Sequence, residues 1–451
     1  MTMERTRVRP APFLSTGLPT LGLLASGCDA FALGIELAPD VGPVAVAGWT
    51  ETIERSRVVV STESGPWLQT EWQEPSEVRH EHTLLGLYPE GQFAANVVTE
   101  GGAESQVFNF STPSLPADFP GWSTDGSPSW DGYMVTSLLS DPPVALVLDE
   151  QARVVWFHTI ETTGRVLRAR LRQDGQGVRY AVSLLTDETK QPQVDAVDWR
   201  GNVTSQLDVP YFSHDFVEKT DGTLALLLFD VRKHEAFDGD VYGNELVELT
   251  PEGTSRAVWS TWNTWDPTRD GQVQDDGTWT HGNSLDVDEE TGTYTAGFRG
   301  VDAIVEIDAA SGATLRQVGG PTSTYAFASE QDQPYDQHQF QWVDGGILIF
   351  DNHTEASGSR ALELALDDVL LTATPANEIR HEPEFWVYAM GDVDRDGDGG
   401  TLISWATSGV ISEVGSNGET RWELAADLGT ATGFVTREHR LPGVERIRAS
   451  N

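Results

Sequence analysis

From about residue 122 onward, apolar and polar positions alternate in short runs separated by Asp/Gly turns. The runs are five to eight residues long and rich in Val, Leu, Ile, Phe and Trp, as half-buried strands are. Similar units recur: YMVTSLLSDPPVALVLDEQARVVW, YAVSLLTDETKQPQVDAVDWRGNV, HDFVEKTDGTLALLLFD with NELVELTPEGTSRAVW, HGNSLDVDEETGTYTAGFR with AIVEIDAASGATLRQV, HQFQWVDGGILIFDN with ALELAL, and GDVDRDGDGGTLISW with GVISEVGSNGETRWEL. Short strands repeating at roughly 40–50 residues indicate a β-propeller, and six units predict six blades. No long helical period interrupts them. The fold class expected is therefore all-β, with a propeller over residues 116–451.

Residues 36–115 form a different unit. RSRVVVST (Arg55 to Thr62), Leu68 to Trp72 and HTLLGLYPEGQFAANVVTE read as strands with a Pro-Glu-Gly turn. The unit ends at VFNFST before a Pro-containing linker (Pro113, Pro116, Pro120). Turn-punctuated strands of this kind predict a β-sandwich, and the Leu-x-Pro-turn-strand run resembles a fibronectin type III domain. His80 and His82 belong to no recognisable motif, and the unit carries no evident chemistry.

Composition narrows the partners. Acids outnumber bases 70 to 29 in the 451 residues, for a net charge of -41, and only three of the bases are lysine. Nucleic acid is an unsuitable partner for such a surface, because phosphate binding needs a basic face. The single cysteine, Cys28, excludes an internal disulfide. It follows a basic start (Arg5, Arg7, Arg9), a modestly apolar run from Pro12 to Leu24 and the small residues Ala25-Ser26-Gly27. Residues 1–28 read as a secretory signal, and the cysteine after small residues resembles a bacterial lipobox. The expectation is an exported protein, periplasmic or at the cell surface, tethered through a lipid on Cys28. No later run reaches the 18 or so apolar residues of a membrane-spanning helix.

The candidate chemistry falls at the starts of the repeats. His281 and Arg299 stand at the two ends of one predicted hairpin, which makes them neighbours. A histidine also opens two other units, as His214-Asp215-Phe216 and Gln337-His338-Gln339. In a propeller, equivalent positions of neighbouring blades converge on the axis. Three imidazoles and Arg299 are thus expected in one pocket, suited to an anion with several oxygens. His158, His234, His353, His381 and His439 lack this frame. A metal is the competing occupant of a three-histidine site, but Arg299 at the same mouth would repel a dication, so no cofactor is expected. Asp392-Val-Asp394-Arg-Asp396-Gly-Asp398 has the spacing of a calcium loop, with Ile403 where the twelfth-position Glu would stand. An acidic turn between strands is the simpler reading of it.

These residues carry a resemblance to the bacterial arylsulfate sulfotransferases that do not use a nucleotide sulfate donor. It covers most of residues 120–435. It rests on His214-Asp215 ahead of Asp221-Gly222, His281-x-Asn283 followed by Arg299, Gln337-His338, and the closing GDVDRDGDGGTLISWATSGVISEV. The resemblance implies a six-bladed propeller with a small N-terminal β-domain, His338 as nucleophile, and His214, His281 and Arg299 holding the sulfuryl group. Asn283 would be a further sulfate contact, and Thr407 a weaker one. The chain departs from well-known members in having no cysteine pair in the propeller. In chemical terms, in-line attack by a neutral His338 would give a sulfohistidine, with ping-pong transfer to a phenolic acceptor. Arg299 and a protonated His214 or His281 would stabilise the charged oxygens, and the other ring would shuttle the phenol proton. Tyr211, Phe212, Trp265, Tyr335 and Phe340 are candidates for stacking the aryl ring. A binding propeller without turnover and a metal-dependent hydrolase or lyase are the alternative classes. The sequence does not give the oligomeric state.

Overall fold

The computed structural model describes residues 32–447 except 184, 188, 398 and 428. The basic start, the apolar run and Cys28 lie outside the described residues. The described chain is all-β, in eight sheets, and its helical segments are 3-10 turns of three residues each.

Two sheets make the N-terminal unit. One pairs Gly34–Ala38, Val44–Glu51 and Ser76–Leu84 in that order. The other runs Gly65–Thr70, Ser56–Thr62, Gln92–Thr99, Phe108–Ser111, and takes Val444–Arg446 onto its free edge beside Gly65–Thr70. Alternation does the work of burial here. Ser56, Val58 and Val60 point inward from one strand, and Phe93, Ala95 and Val97 from its neighbour. They pack with Trp49, Leu68 and Leu84, and the same apolar cluster continues through Tyr133, Val147, Trp156, Val166 and Tyr180 of the rest of the chain. The two parts therefore share one core.

Six further sheets of four or five strands follow in sequence order. The second is Arg165–Leu171, Gly177–Ser183, Gln193–Asp198 and Val203–Asp208. The third begins with Phe212–Glu218 and Leu224–Lys233, the fourth with Gly282–Asp288 and Thr293–Phe298, and the fifth with Phe340–Val343 and Gly346–Asp351. The first and sixth are completed from afar. Thr436–Glu438 lies beside Tyr133–Leu138 in the first sheet, while Trp122–Gly126 pairs with Thr420–Ala426 at the edge of the sixth. First strands of successive sheets lie against one another, Arg165–Leu171 on Phe212–Glu218, Phe212–Glu218 on Gly282–Asp288, and Phe340–Val343 on Asp392–Arg395.

Where these first strands meet, side chains cross between sheets. Arg168 sends Nε and Nη2 to the two carboxylate oxygens of Asp215 at 3.0 and 3.2 Å, and Nη1 to Asp392 at 3.4 Å. Asp215 also accepts from the Leu285 backbone N–H at 3.1 Å and from Gln339 Nε2 at 3.0 Å. One buried guanidinium and two buried carboxylates thus link the second, third, fourth, fifth and sixth sheets. Asp215 is held charged by Arg168 and Arg170, burial pushes the Asp392 carboxyl up to about 7, and each of these groups is hydrogen-bonded, as burial demands.

Candidate functional site

Adjacent strands are antiparallel, so the start of each first strand and the end of each second strand lie on one rim. Four rim positions put a non-glycine residue into left-handed backbone just before a first strand: Tyr211, His281, Asp336 and Met390, with φ of 65, 46, 53 and 64°. This corrects the expected equivalence of the three histidines. His281 is itself the left-handed residue of its sheet, whereas His214 and His338 follow Tyr211 and Asp336. The difference in offset does not separate them. The His214 and His281 rings lie 4.7 Å apart, and the charge of Arg299 is felt at all three imidazoles. The hairpin expectation also holds, since the Arg299 N–H donates to the His281 carbonyl at 3.2 Å.

His338 is the most enclosed of the three rings, with 2% of its surface exposed. Nδ1 meets Asn352 Oδ1 at 2.7 Å, and the Met390 backbone N–H donates to Nε2 at 2.9 Å. Phe434 lies beneath it, 6.4 Å between rings, and that phenyl in turn carries the Arg168 guanidinium on its face. His214 is oriented by its neighbour. Ser213 Oγ donates to the Gly282 carbonyl at 2.7 Å and so accepts from His214 Nδ1 at 3.0 Å, which leaves the His214 Nε2 lone pair as a base.

Burial pushes the His214 imidazole down to about 4 and His338 down to about 3, and Arg299 adds to both shifts. His281 is held well below its ordinary value by burial, then by His214, Arg299 and His338. The rings are therefore neutral at neutral pH, against the expectation that His214 or His281 carries a proton. The permanent positive charge that acts on all three rings is Arg299. Its side chain is 29% exposed, and its Nε is 3.2 Å from Asp336 Oδ1, close enough for an ion pair but without hydrogen-bond alignment. Asp302 receives the Asp336 N–H at 2.7 Å, and burial, reinforced by Asp336 and Asp351, pushes its carboxyl up to about 7.

Asn283 is fully buried, and its amide donates to the Gln337 carbonyl at 2.9 Å, fixing the backbone just ahead of His338. Thr407 lies on the same rim in the 3-10 turn Ala406–Ser408, the counterpart of the turn Arg299–Val301 two sheets away. No hydrogen bond ties it to the histidines among the described residues. Of the aromatic candidates, Phe212, Trp265 and Phe340 are buried packing residues, while Tyr211 and Tyr335 stand exposed on the rim. Trp386 and Tyr388, on the segment before the sixth sheet, are exposed there too and were not singled out from sequence. Among the described residues no three His, Cys, Asp or Glu side chains converge as metal ligands. In the calcium-like run, Asp392 is bound to Arg168 and the Val435 N–H, Asp394 accepts from the Arg437 N–H and Asp396 from the Gly400 N–H. Asp398 lies outside the described residues.

The chain belongs to the arylsulfotransferase (ASST) family, whose sequence model matches residues 131–369. No curated protein matches it. Among solved structures it is similar to a protein of unknown function from Bacteroides caccae, at 10% identity and TM-score 0.43, over 68% of this chain and 98% of that one. A streptogramin B lyase aligns at 10% identity and TM-score 0.38, over 67% and 86%. Virginiamycin B lyase from Staphylococcus aureus aligns at 10% and 0.38, over 70% and 99%. Likenesses this weak carry no functional weight. Family membership supports aryl sulfotransferase function in general, with aryl compounds as substrates.

Proposed function

We propose that this protein moves a sulfuryl group from an aryl sulfate to a phenolic acceptor by a ping-pong route through a sulfohistidine on His338. In the same reading the six sheets close as a six-bladed propeller, the unit before it is a fibronectin-like sandwich, and the protein is exported and tethered through Cys28. The observation that carries the chemistry is the state of His338: a neutral ring, deep at the rim, whose Nδ1 is engaged by an amide oxygen so that Nε2 is the nucleophilic nitrogen.

The Nε2 lone pair forms the N–S bond as the S–O(aryl) bond breaks. Arg299 faces the sulfuryl oxygens, and His281 lies beside it. An arriving anion raises the pKa of the buried imidazoles near it, so the donor brings a proton onto His214 Nε2. That proton goes to the departing phenoxide. In the second half-reaction the acceptor phenol returns it to His214 as its oxygen attacks sulfur and the N–S bond breaks. Asn283 supports the step by holding the Gln337-His338 backbone. Thr407 and the exposed Tyr211, Tyr335, Trp386 and Tyr388 line the approach of the aryl group.

One observation favours a second reading, ligand binding without turnover. The Met390 N–H points at the Nε2 lone pair, and attack requires that it let go. Protein lacking residues 1–28, given 4-nitrophenyl sulfate and phenol, separates the two. The transferase gives acceptor-dependent nitrophenol release, a sulfuryl adduct on His338 in its peptide, and no release from His338→Ala. Donor binding without release across a panel of phenols establishes the binder.

A further inference from the structure

Asn352 follows the strand Gly346–Asp351 and is 1% exposed. Its backbone carbonyl accepts from Ser359 Oγ at 2.8 Å. Its side-chain nitrogen donates to two carbonyls, Val387 O at 2.8 Å and Met390 O at 2.7 Å. A carbonyl only accepts, so both amide hydrogens are in use and the amide cannot be flipped. Oδ1 must then be the atom facing His338, and it can only accept. The ring nitrogen 2.7 Å away is therefore Nδ1–H. The Met390 N–H gives the same answer from the other side of the ring, because a donor at 2.9 Å requires a lone pair on Nε2.

We propose that Asn352 is the positioning residue of this site: it fixes the Nδ1–H tautomer of His338, makes Nε2 the reacting nitrogen, and ties the ring to the segment 387–390. The inference rests on the assignment of His338 above and deepens it. The chemistry explains why an amide suits the position. When Nε2 bonds to sulfur the ring becomes cationic, and Nδ1–H stays in place with its hydrogen on Oδ1. A carboxylate there would also accept that hydrogen. It would raise the pKa of the ring and make the cationic intermediate harder to discharge. A neutral oxygen orients the nucleophile and leaves it unprotonated. Without Asn352 the ring loses its acceptor and the segment 387–390, which carries the Met390 N–H, loses both amide bonds that hold it, so the two tautomers can exchange and the one with its lone pair on Nδ1 points its nucleophile into the protein.

The test uses the full chain with 15N-labelled histidine, reading the ring nitrogens of His338, with His338→Gln to assign them. Wild type should show the Nδ1–H pattern, and Asn352→Leu a mixture or the Nε2–H pattern. In turnover, Asn352→Leu should lower kcat about 100-fold or more, with KM for the donor little changed, since a wrong tautomer in an intact site has cost about 10⁴ elsewhere. Asn352→Asp should restore the Nδ1–H pattern and move the acid limb of kcat/KM, along with the His338 titration, up by about one pH unit or more. Arg299, His214, His281 and the Asp336 carbonyl also face this ring and are unaltered in both variants, so they do not account for a difference. A folded Asn352→Leu protein that keeps the Nδ1–H pattern overturns the inference. If that variant does not fold, the wild-type ring decides: an Nε2–H pattern or a mixture at His338 overturns it. Turnover that survives His338→Ala sinks the functional reading instead, and the tautomer result still judges Asn352 on its own.

Discussion

His214 and Asp215 are consecutive residues of one strand, yet they belong to opposite electrostatic regimes. Asp215 sits in the buried belt, where burial pushes its carboxyl up and Arg168 with Arg170 more than offsets the push, so the carboxylate stays charged. At His214, one residue nearer the rim, burial outweighs the pull of Asp215, Arg299 opposes that pull, and the ring is left neutral. The belt is already matched in charge and has nothing to gain from a ligand. On the rim the partly exposed Arg299 guanidinium stands beside three neutral bases, an arrangement that an anion completes. Stability and recognition are thus kept apart by a single step along the chain.

The sharpest way to break this contrast is Arg168→Met. It should cost about 3–5 kcal/mol in urea unfolding, because Asp392 is left buried without its cation and Asp215 keeps only the more distant Arg170. His338→Ala, which leaves only neutral groups of Asn352 and Met390 unpaired, should cost less, about 1–3 kcal/mol. Equal losses in both variants would erase the distinction between belt and rim. Arg299→Met should do the reverse of Arg168→Met, lowering kcat/KM for an aryl sulfate about 10²–10³-fold with little change in stability. Activity retained in that variant would remove Arg299 from the anion site.

The pH profile sharpens the comparison. In the free enzyme the rings are neutral, burial having lowered His338 to about 3 and His214 to about 4. Because the reacting complex carries a proton on His214 that the free enzyme lacks, kcat/KM should rise as pH falls from about 7 toward about 5 and decline only where His338 is itself protonated, whereas rings titrating at the ordinary value of about 6.5 would already have cost activity. The limb in kcat should lie at higher pH, since the bound donor raises the same groups. Coincident limbs near 6.5 would mean that the rings are not desolvated. The smallest effect is expected from Asp336→Asn, which relieves Arg299 of its acidic neighbour and should lower the donor KM a few-fold. An increase would show that Asp336 orients the guanidinium instead of competing for it.

Much of this contrast could be read in the sequence, and the unread part has physical causes. The six units, the alternation in Ser56–Thr62 and Gln92–Thr99, and the His281–Arg299 hairpin follow from side-chain period and turn residues, which are local properties. The offset of His281 is not local in this sense, because a histidine with φ of 46° carries no signature. Asn352 ends an unremarkable apolar strand, and its significance comes from carbonyls 35 and 38 residues away. The Met390 contact is a backbone N–H, to which any residue but proline would contribute alike. The charge state of the rings depends on burial, and the sequence suggested a protonated ring where the structure has none. Trp122–Gly126 and Val444–Arg446 are short strands whose partners lie about 300 and 375 residues away, beyond any periodicity.

Those distant pairings bear on how the molecule assembles. Glu445 and Gln69 meet across 376 residues, and Arg446 and Glu150 across 296. Loop closure on that scale must precede any return from the contacts it creates, and such topologies fold slowly. The sheet that holds Tyr133–Leu138 gains its last strand only after Thr436–Glu438 has been synthesised, so the earliest strands of the repeat region wait with an open edge while five other sheets are made. Loss of a few residues around 436–446 would therefore reopen two sheets at once, one in each half of the protein.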